Sequence, residues 1–127
     1  MPYPLLFSPI RINSMALKNR IVMTAMHLGY TPGGKVTDRL IEFYALRARG
    51  GVGLIIVGGC TIDAWAGMTD MISIKDDSFL PGLERLVSAV KAGGAKIAAQ
   101  LYQAGRYAHS SMIGGKKPFS ASAVRSK

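Results

Sequence analysis

The feature that most limits what this chain can fold into occurs twice: an amphipathic stretch, a glycine pair, then a short apolar run. In the first copy Leu40, Ile41, Tyr44 and Ala48 recur at helical spacing, Gly50-Gly51 follows, and Val52 to Val57 is apolar throughout. In the second, Leu83, Leu86, Val87 and Val90 form the stripe, Gly93-Gly94 follows, and Lys96 to Leu101 reads as a strand. Residues at this period line one face of a helix, which must then be buried. A glycine accepts the left-handed conformation in which helices commonly stop. Thr37 is placed to cap the first helix, with the charge of Asp38 at the positive end of its dipole, and Pro81 fits the first turn of the second. A strand that is apolar without alternation suits a parallel sheet covered on both faces.

Ile21 to Met26 supplies one more apolar run ahead of the first helix, so the order becomes β-α-β-α-β. That alternation specifies an α/β fold with a parallel sheet and right-handed crossovers. Periodicity leaves an open doubly wound sheet and a barrel both standing, although no G-x-G-x-x-G follows the first strand, which weighs against a dinucleotide-binding open sheet. Upstream, Asn13-Ser14 sits between two apolar stretches and predicts a small hairpin within residues 5–17. Gly58-Gly59-Cys60 reads as the end of the second strand, Thr61 to Ser78 as a long loop, and Tyr102 to Lys127 as an aperiodic stretch rich in Gly, Ser and Lys.

Composition narrows the function classes. The chain has 127 residues, of which 49% are hydrophobic, enough for one packed domain. Its longest apolar run is far too short to cross a bilayer, and Met1-Pro2-Tyr3-Pro4 lacks the basic start and apolar stretch of a secretory signal. No membrane association is expected. Cys60 is the single cysteine, which excludes a disulfide framework and offers no metal-ligand cluster; a reducing, cytoplasmic setting is expected. The net charge of +9 raises the question of nucleic acid. Basic residues are scattered, however, and no docking element or regular series of stacking aromatics accompanies them. A solvated surface is the expected reading, with some advantage for an anionic ligand such as a phosphate or CoA.

Parallel α/β folds gather ligands at the carboxyl ends of their strands. Here those ends are Ala25-Met26-His27, Gly58-Gly59-Cys60 and Gln100-Leu101-Tyr102. Gly59 lets backbone approach a flat ligand, Gln100 carries the donors and acceptor suited to a heterocycle's edge, and His27 is titratable. Each also has an ordinary reading, as a turn glycine, a glutamine bonded to backbone and a loop histidine. Their recurrence at three successive strand ends is what singles them out.

The chain resembles the old yellow enzyme family of NADH:flavin oxidoreductases, in particular its 2,4-dienoyl-CoA reductase and enoate reductase branch. The resemblance runs from Tyr3-Pro4-Leu5-Leu6-Phe7-Ser8-Pro9 through Leu17-Lys18-Asn19-Arg20-Ile21 to Ala25-Met26-His27. It continues in Phe43-Tyr44-Ala45-Leu46-Arg47-Ala48-Arg49-Gly50-Gly51, Gly58-Gly59, Lys96-Ile97-Ala98-Ala99-Gln100-Leu101, Gly105-Arg106 and Ser120-Ala121-Ser122-Ala123-Val124. It implies that residues 1–127 are the N-terminal portion, three βα-type strands, of an FMN-binding (β/α)8 TIM barrel. It further implies that Ala25, Met26 and His27 line the flavin ring mostly through backbone groups, that Gly59 sits beside the isoalloxazine, and that Gln100 bonds its pyrimidine edge. The implied reaction passes hydride from NAD(P)H through FMN to an alkene conjugated to a carbonyl, such as an enoate or an enoyl- or 2,4-dienoyl-CoA.

Two positions depart from the family pattern. Gln103 stands where a histidine is common before the Gly-Arg, so no catalytic residue is assigned in this segment, and Ala25 stands where Pro or Ser is frequent. A full barrel takes about 250 residues, so the chain is expected to be a fragment. The acid tyrosine, the phosphate-binding loops and, in the longer branch, a 4Fe-4S cluster and an FAD domain are then expected beyond Lys127. The competing expectations are a non-catalytic piece that needs a partner chain to complete the flavin site, and a basic nucleic-acid module. Unpaired sheet edges further predict self-association, a homo-oligomer or pairing with the remainder of the barrel.

Overall fold

A computed structural model describes residues 2–66 and 70–124 of the chain. Both helices occupy the spans their stripes and caps dictate. α1 (Asp38–Arg49) begins at Thr37, whose hydroxyl accepts the Leu40 amide at 3.3 Å, and it carries Asp38 in its first turn and Arg47 and Arg49 in its last. α2 (Leu80–Ala92) places Pro81 in its first turn, where the missing N–H has no intrahelical partner to lose. In each glycine pair the first residue caps the helix and the second takes the left-handed turn, with φ of 102° at Gly51 and 81° at Gly94. Asn19, only 6% exposed, fixes the first of these turns. Its Nδ2 donates to the Gly51 carbonyl at 2.7 Å while its Oδ1 accepts the Ile21 amide at 3.1 Å.

The expected hairpin is present as β1 (Ile10–Ile12) against β2 (Met15–Leu17), antiparallel, with Asn13 at a positive φ of 51° in the turn. The main sheet consists of β3 (Val22–Met23), β4 (Leu54–Thr61), β5 (Ile72–Ser73) and β6 (Lys96–Tyr102), all paired in parallel. β4 is its spine. One edge of β4 pairs with β6 from Leu54↔Lys96 to Thr61↔Tyr102. The other edge takes β3 at Leu54 and Ile55 and β5 at Cys60 and Thr61.

Three expectations require correction. The first core strand, anticipated over residues 21–26, is paired only at Val22 and Met23. β5 fills the far end of the same β4 edge, and the chain after Met23 leaves the ladder. The second strand does not end at Gly58-Gly59-Cys60 but runs through to Thr61. And the presumed loop over residues 61–78 contains β5 and most of a one-turn 3-10 helix, Asp77–Phe79. β5 is too short to show a period, and it is held by pairing and by burial of Ile72, which is 4% exposed.

The core lies between the sheet and the two helices. Leu40, Tyr44 and Ala48 of α1 and Leu86 and Val90 of α2 pack on Ile55, Val57 and Cys60 of β4 and Ile72 of β5. The opposite face of the sheet is more open: Lys96, Ala98 and Gln100 of β6 are all exposed. Beyond β6 the chain has no strand among the described residues, yet it is anchored by two 3-10 turns and by the buried side chains of Ala108 and Ile113. No helix among the described residues is long and apolar enough to cross a membrane.

Candidate functional site at the strand mouths

The glycine pair inside β4 builds the site. Val57 pairs with Ala99 and Cys60 with Leu101, so Gly58 and Gly59 together face a single residue of β6, Gln100. This is a β-bulge, a device that bends a strand and re-aims the groups around it, common at barrel rims. It resets the alternation of β4: Val57 and Cys60 both point into the helix-side core, three positions apart instead of two. The peptide between Gly58 and Gly59 is cis.

The bulge leaves Gly58 pressed between two of the expected site residues. A Cβ there would lie 2.5 Å from the Cβ of Ala25 and 2.8 Å from Oε1 of Gln100. Only a residue without a side chain lets those three segments meet. Gly59 faces elsewhere: a Cβ on it would meet Tyr102 at 2.7 Å and Cε of Met71 at 2.8 Å. Ala25 and Gln100 are thus brought together across Gly58, with Gly59 one residue along. Of the two glycines, Gly58 is the one whose role in this junction the sequence alone does not single out. Gln100 is exposed and Met26 is 42% exposed, so both are accessible.

Met26 and His27 also border a hollow of about 10 Å³ together with Tyr44, Gly58 and Met71. That is at the lower limit of room for one water, so this hollow is too small for a ligand. His27 Nε2 sits 3.2 Å from Oδ1 of Asp70. Below Gly58, burial pushes the Tyr44 phenol above its ordinary pKa of 10.0, and a hydrogen bond from the Gly58 backbone opposes that shift. The Cys60 thiol is pushed from 9.0 to about 11 by burial. Its Sγ is 3.8 Å from the Val57 carbonyl. A thiol so protonated is a poor nucleophile, which makes Cys60 a packing residue. Gln103, at the position of the missing histidine, accepts the Gly105 amide at 2.6 Å and closes a local turn. No group of three His, Cys, Asp or Glu among the described residues could hold a metal ion. A roomier trough, about 570 Å³, is bordered by Arg106, Phe119, Ser120 and Ser122 and includes none of the strand-end residues.

Known proteins share this fold. Residues 5–125 match the NADH:flavin oxidoreductase / NADH oxidase family. A metal reductase of Desulforamulus reducens is 64% identical over 110 residues, which is 87% of this chain and 16% of that protein. The chain therefore spans less than a fifth of that relative's length. The old yellow enzyme homologue of Zymomonas mobilis superposes with a TM-score of 0.85 at 32% identity, over 95% of this chain and 34% of its own. A 2-naphthoyl-CoA reductase superposes with a TM-score of 0.83 at 32% identity, over 90% of this chain and 19% of its own. The parallel strands and crossover helices are accordingly the N-terminal portion of a (β/α)8 barrel, and the choice that periodicity left open is decided. With the family match running through nearly every described element, from the hairpin to the tail beyond β6, the chain belongs to the NADH:flavin oxidoreductase / NADH oxidase family, in the company of the old yellow enzymes.

Proposed function

We propose that this chain supplies one wall of an FMN site in an NAD(P)H-dependent reductase acting on alkenes conjugated to a carbonyl, such as enoates or enoyl- and 2,4-dienoyl-CoA esters. The observation that carries the reading is the convergence of Ala25, Gly58 and Gln100 at one strand mouth, where a side chain on Gly58 cannot be accommodated. Gly58, itself buried, lets Ala25 and the exposed Gln100, with its carboxamide, come together there. That donor set fits a flavin ring, whose pyrimidine side offers both carbonyls and an N–H to a glutamine. Bound there, FMN would supply two-electron transfer between a nicotinamide and the acceptor.

In this reading Ala25, Met26 and His27 present backbone groups to one side of the ring, Gly58 keeps the junction free of a side chain, Gly59 lies beside the ring through its backbone, and Gln100 fixes the ring's orientation. Hydrogen bonds to the flavin from the His27 segment would favour added electron density on it and so tune its potential. The acyl-CoA branch is supported by the likeness to a 2-naphthoyl-CoA reductase. In that branch a 4Fe-4S cluster and an FAD domain would follow the barrel, and the length of the metal reductase relative leaves room in that protein for further domains. The same relative, at 64% identity, favours a second class of electron acceptor, a metal ion, served from the same flavin wall.

Residues 1–127 would form one part of the barrel domain, so the alternative is a segment that holds FMN only when the remaining strands are supplied, by a partner chain if not by its own polypeptide. The visible absorption spectrum of the purified chain with FMN, alone and mixed with the remainder of the barrel, tests this directly. A perturbed flavin spectrum with the chain alone supports a self-sufficient site, and one that appears only on mixing supports the alternative. An unperturbed spectrum in both sinks the flavin assignment. Oxidation of NADH by flavin-loaded protein, with acrylate in one series and ferric citrate in another, separates the two acceptor classes.

A further inference from the structure

We propose that Asp70 is a positioning residue that holds His27 in place beside the strand-mouth surface; the proposal rests on the flavin reading above. Asp70 is 43 positions from His27 and lies just ahead of β5. Its carboxylate Oδ1 is 3.2 Å from His27 Nε2, and its backbone carbonyl is 3.4 Å from the same nitrogen. That carbonyl also accepts the hydroxyl of Thr31 at 2.5 Å. A Cβ placed on Gly29 would come within 3.3 Å of the other carboxylate oxygen. One residue thus meets the segment after β3 at positions 27, 29 and 31.

Asp70 is itself well fixed. The next residue, Met71, is 5% exposed and its Cε lies against Gly59. Ile72 pairs with Cys60, and its carbonyl accepts the Thr61 hydroxyl at 3.2 Å. A short rigid path therefore links the bulge, through β5 and Asp70, to the His27 ring. The His27 and Asp70 side chains are 31% and 47% exposed, and ion pairs that open to solvent contribute little to stability. What the contact does supply is orientation. It sets the direction of the imidazole and, through it, the path of Met26-His27 relative to Gly58.

The test measures FMN dissociation constants by flavin fluorescence, together with the visible flavin spectrum, for the wild-type full chain and for D70A, D70N, H27A and the D70A/H27A double variant. D70A should weaken FMN binding by about tenfold and shift the flavin absorption bands. D70N keeps an oxygen that can accept from Nε2 and should stay within about twofold of wild type. In the H27A background D70A should change nothing further, because the residue it acts through is gone. If circular dichroism shows that D70A does not fold, D70S takes its place in the same cycle. An unchanged FMN affinity in D70A, or an equal loss in both backgrounds, overturns the proposal while leaving the flavin site standing. Failure of the wild-type protein to bind FMN, both alone and mixed with the remainder of the barrel, overturns both.

Discussion

Of the five glycine pairs in this chain, three adjoin or interrupt the main strands, and the two ends of the sheet use them differently. At the end where helices hand over to strands, Gly50-Gly51 and Gly93-Gly94 reverse the chain, and their second members sit at φ values that side chains rarely adopt. At the opposite end, Gly58-Gly59 neither stops an element nor occupies the left-handed region. It lies within a strand, and what Gly58 provides is space between Ala25 and Gln100. The first kind of glycine turns the chain between helix and strand, whereas the second lets neighbouring segments meet at the junction proposed to hold the flavin. The same dipeptide therefore means different things at the two ends of a parallel sheet, in keeping with the division between a stabilising face and a binding face in barrels of this type.

The largest effect is expected in the core that both ends share. Leu86, 2% exposed, packs between α2 and β4, and Leu86→Ala should cost about 2–5 kcal/mol by chemical denaturation. FMN affinity of the protein that remains folded should be unchanged. Next comes Gly58→Ala. The added methyl would overlap Ala25 and Gln100, so a stability loss of about 1–3 kcal/mol is expected. It should be accompanied by an FMN affinity lowered about 100-fold, or about 2.7 kcal/mol, in a fluorescence titration. Equal FMN affinity in Gly58→Ala and wild type would remove the distinction drawn between the pairs.

A smaller effect concerns pH. The Cys60 thiol titrates at about 11 in the folded chain against 9.0 ordinarily. The folded state therefore keeps a proton that the unfolded state gives up. The stability this supplies is fully present below about pH 9 and is lost as pH rises through about 11, and the raised Tyr44 phenol acts in the same sense at higher pH. The unfolding free energy should thus fall between pH 8 and pH 10.5 by about 1–2 kcal/mol in chemical denaturation, and Cys60→Ala should show a shallower fall. The smallest expected effect is Gly51→Ala. No atom would touch the new Cβ, so only the backbone angle is strained, costing about 1 kcal/mol, with FMN binding untouched.

Much of the fold was legible because its signals are local. Thr37, Asp38, Pro81 and the two helical stripes act within a turn or two of themselves, and both helices fall where those residues place them. β5 was not legible, since two paired residues carry no period and Ile72 is held by a partner twelve positions away. The bulge left a faint trace: the β4 run does not stop at Gly58-Gly59 but continues into Cys60-Thr61-Ile62, and glycine inside a strand often marks a bulge. Of the candidate site, the strand ends were readable from topology. That Gly58 joins Ala25 to Gln100, that Asn19 ties down the turn at Gly51, and that Asp70 reaches His27 depends on contacts between segments far apart in sequence.

The most direct test of the central claim follows backbone amide chemical shifts while FMN is titrated into the isotopically labelled protein. The largest changes should fall together at Ala25 to His27, Gly58 and Gln100, with Leu86, Val90 and the other helix-facing residues nearly still. Saturable binding that instead moved the helix-facing residues, or that left Gly58 and Gln100 unmoved, would contradict the assignment of these strand mouths as a flavin wall.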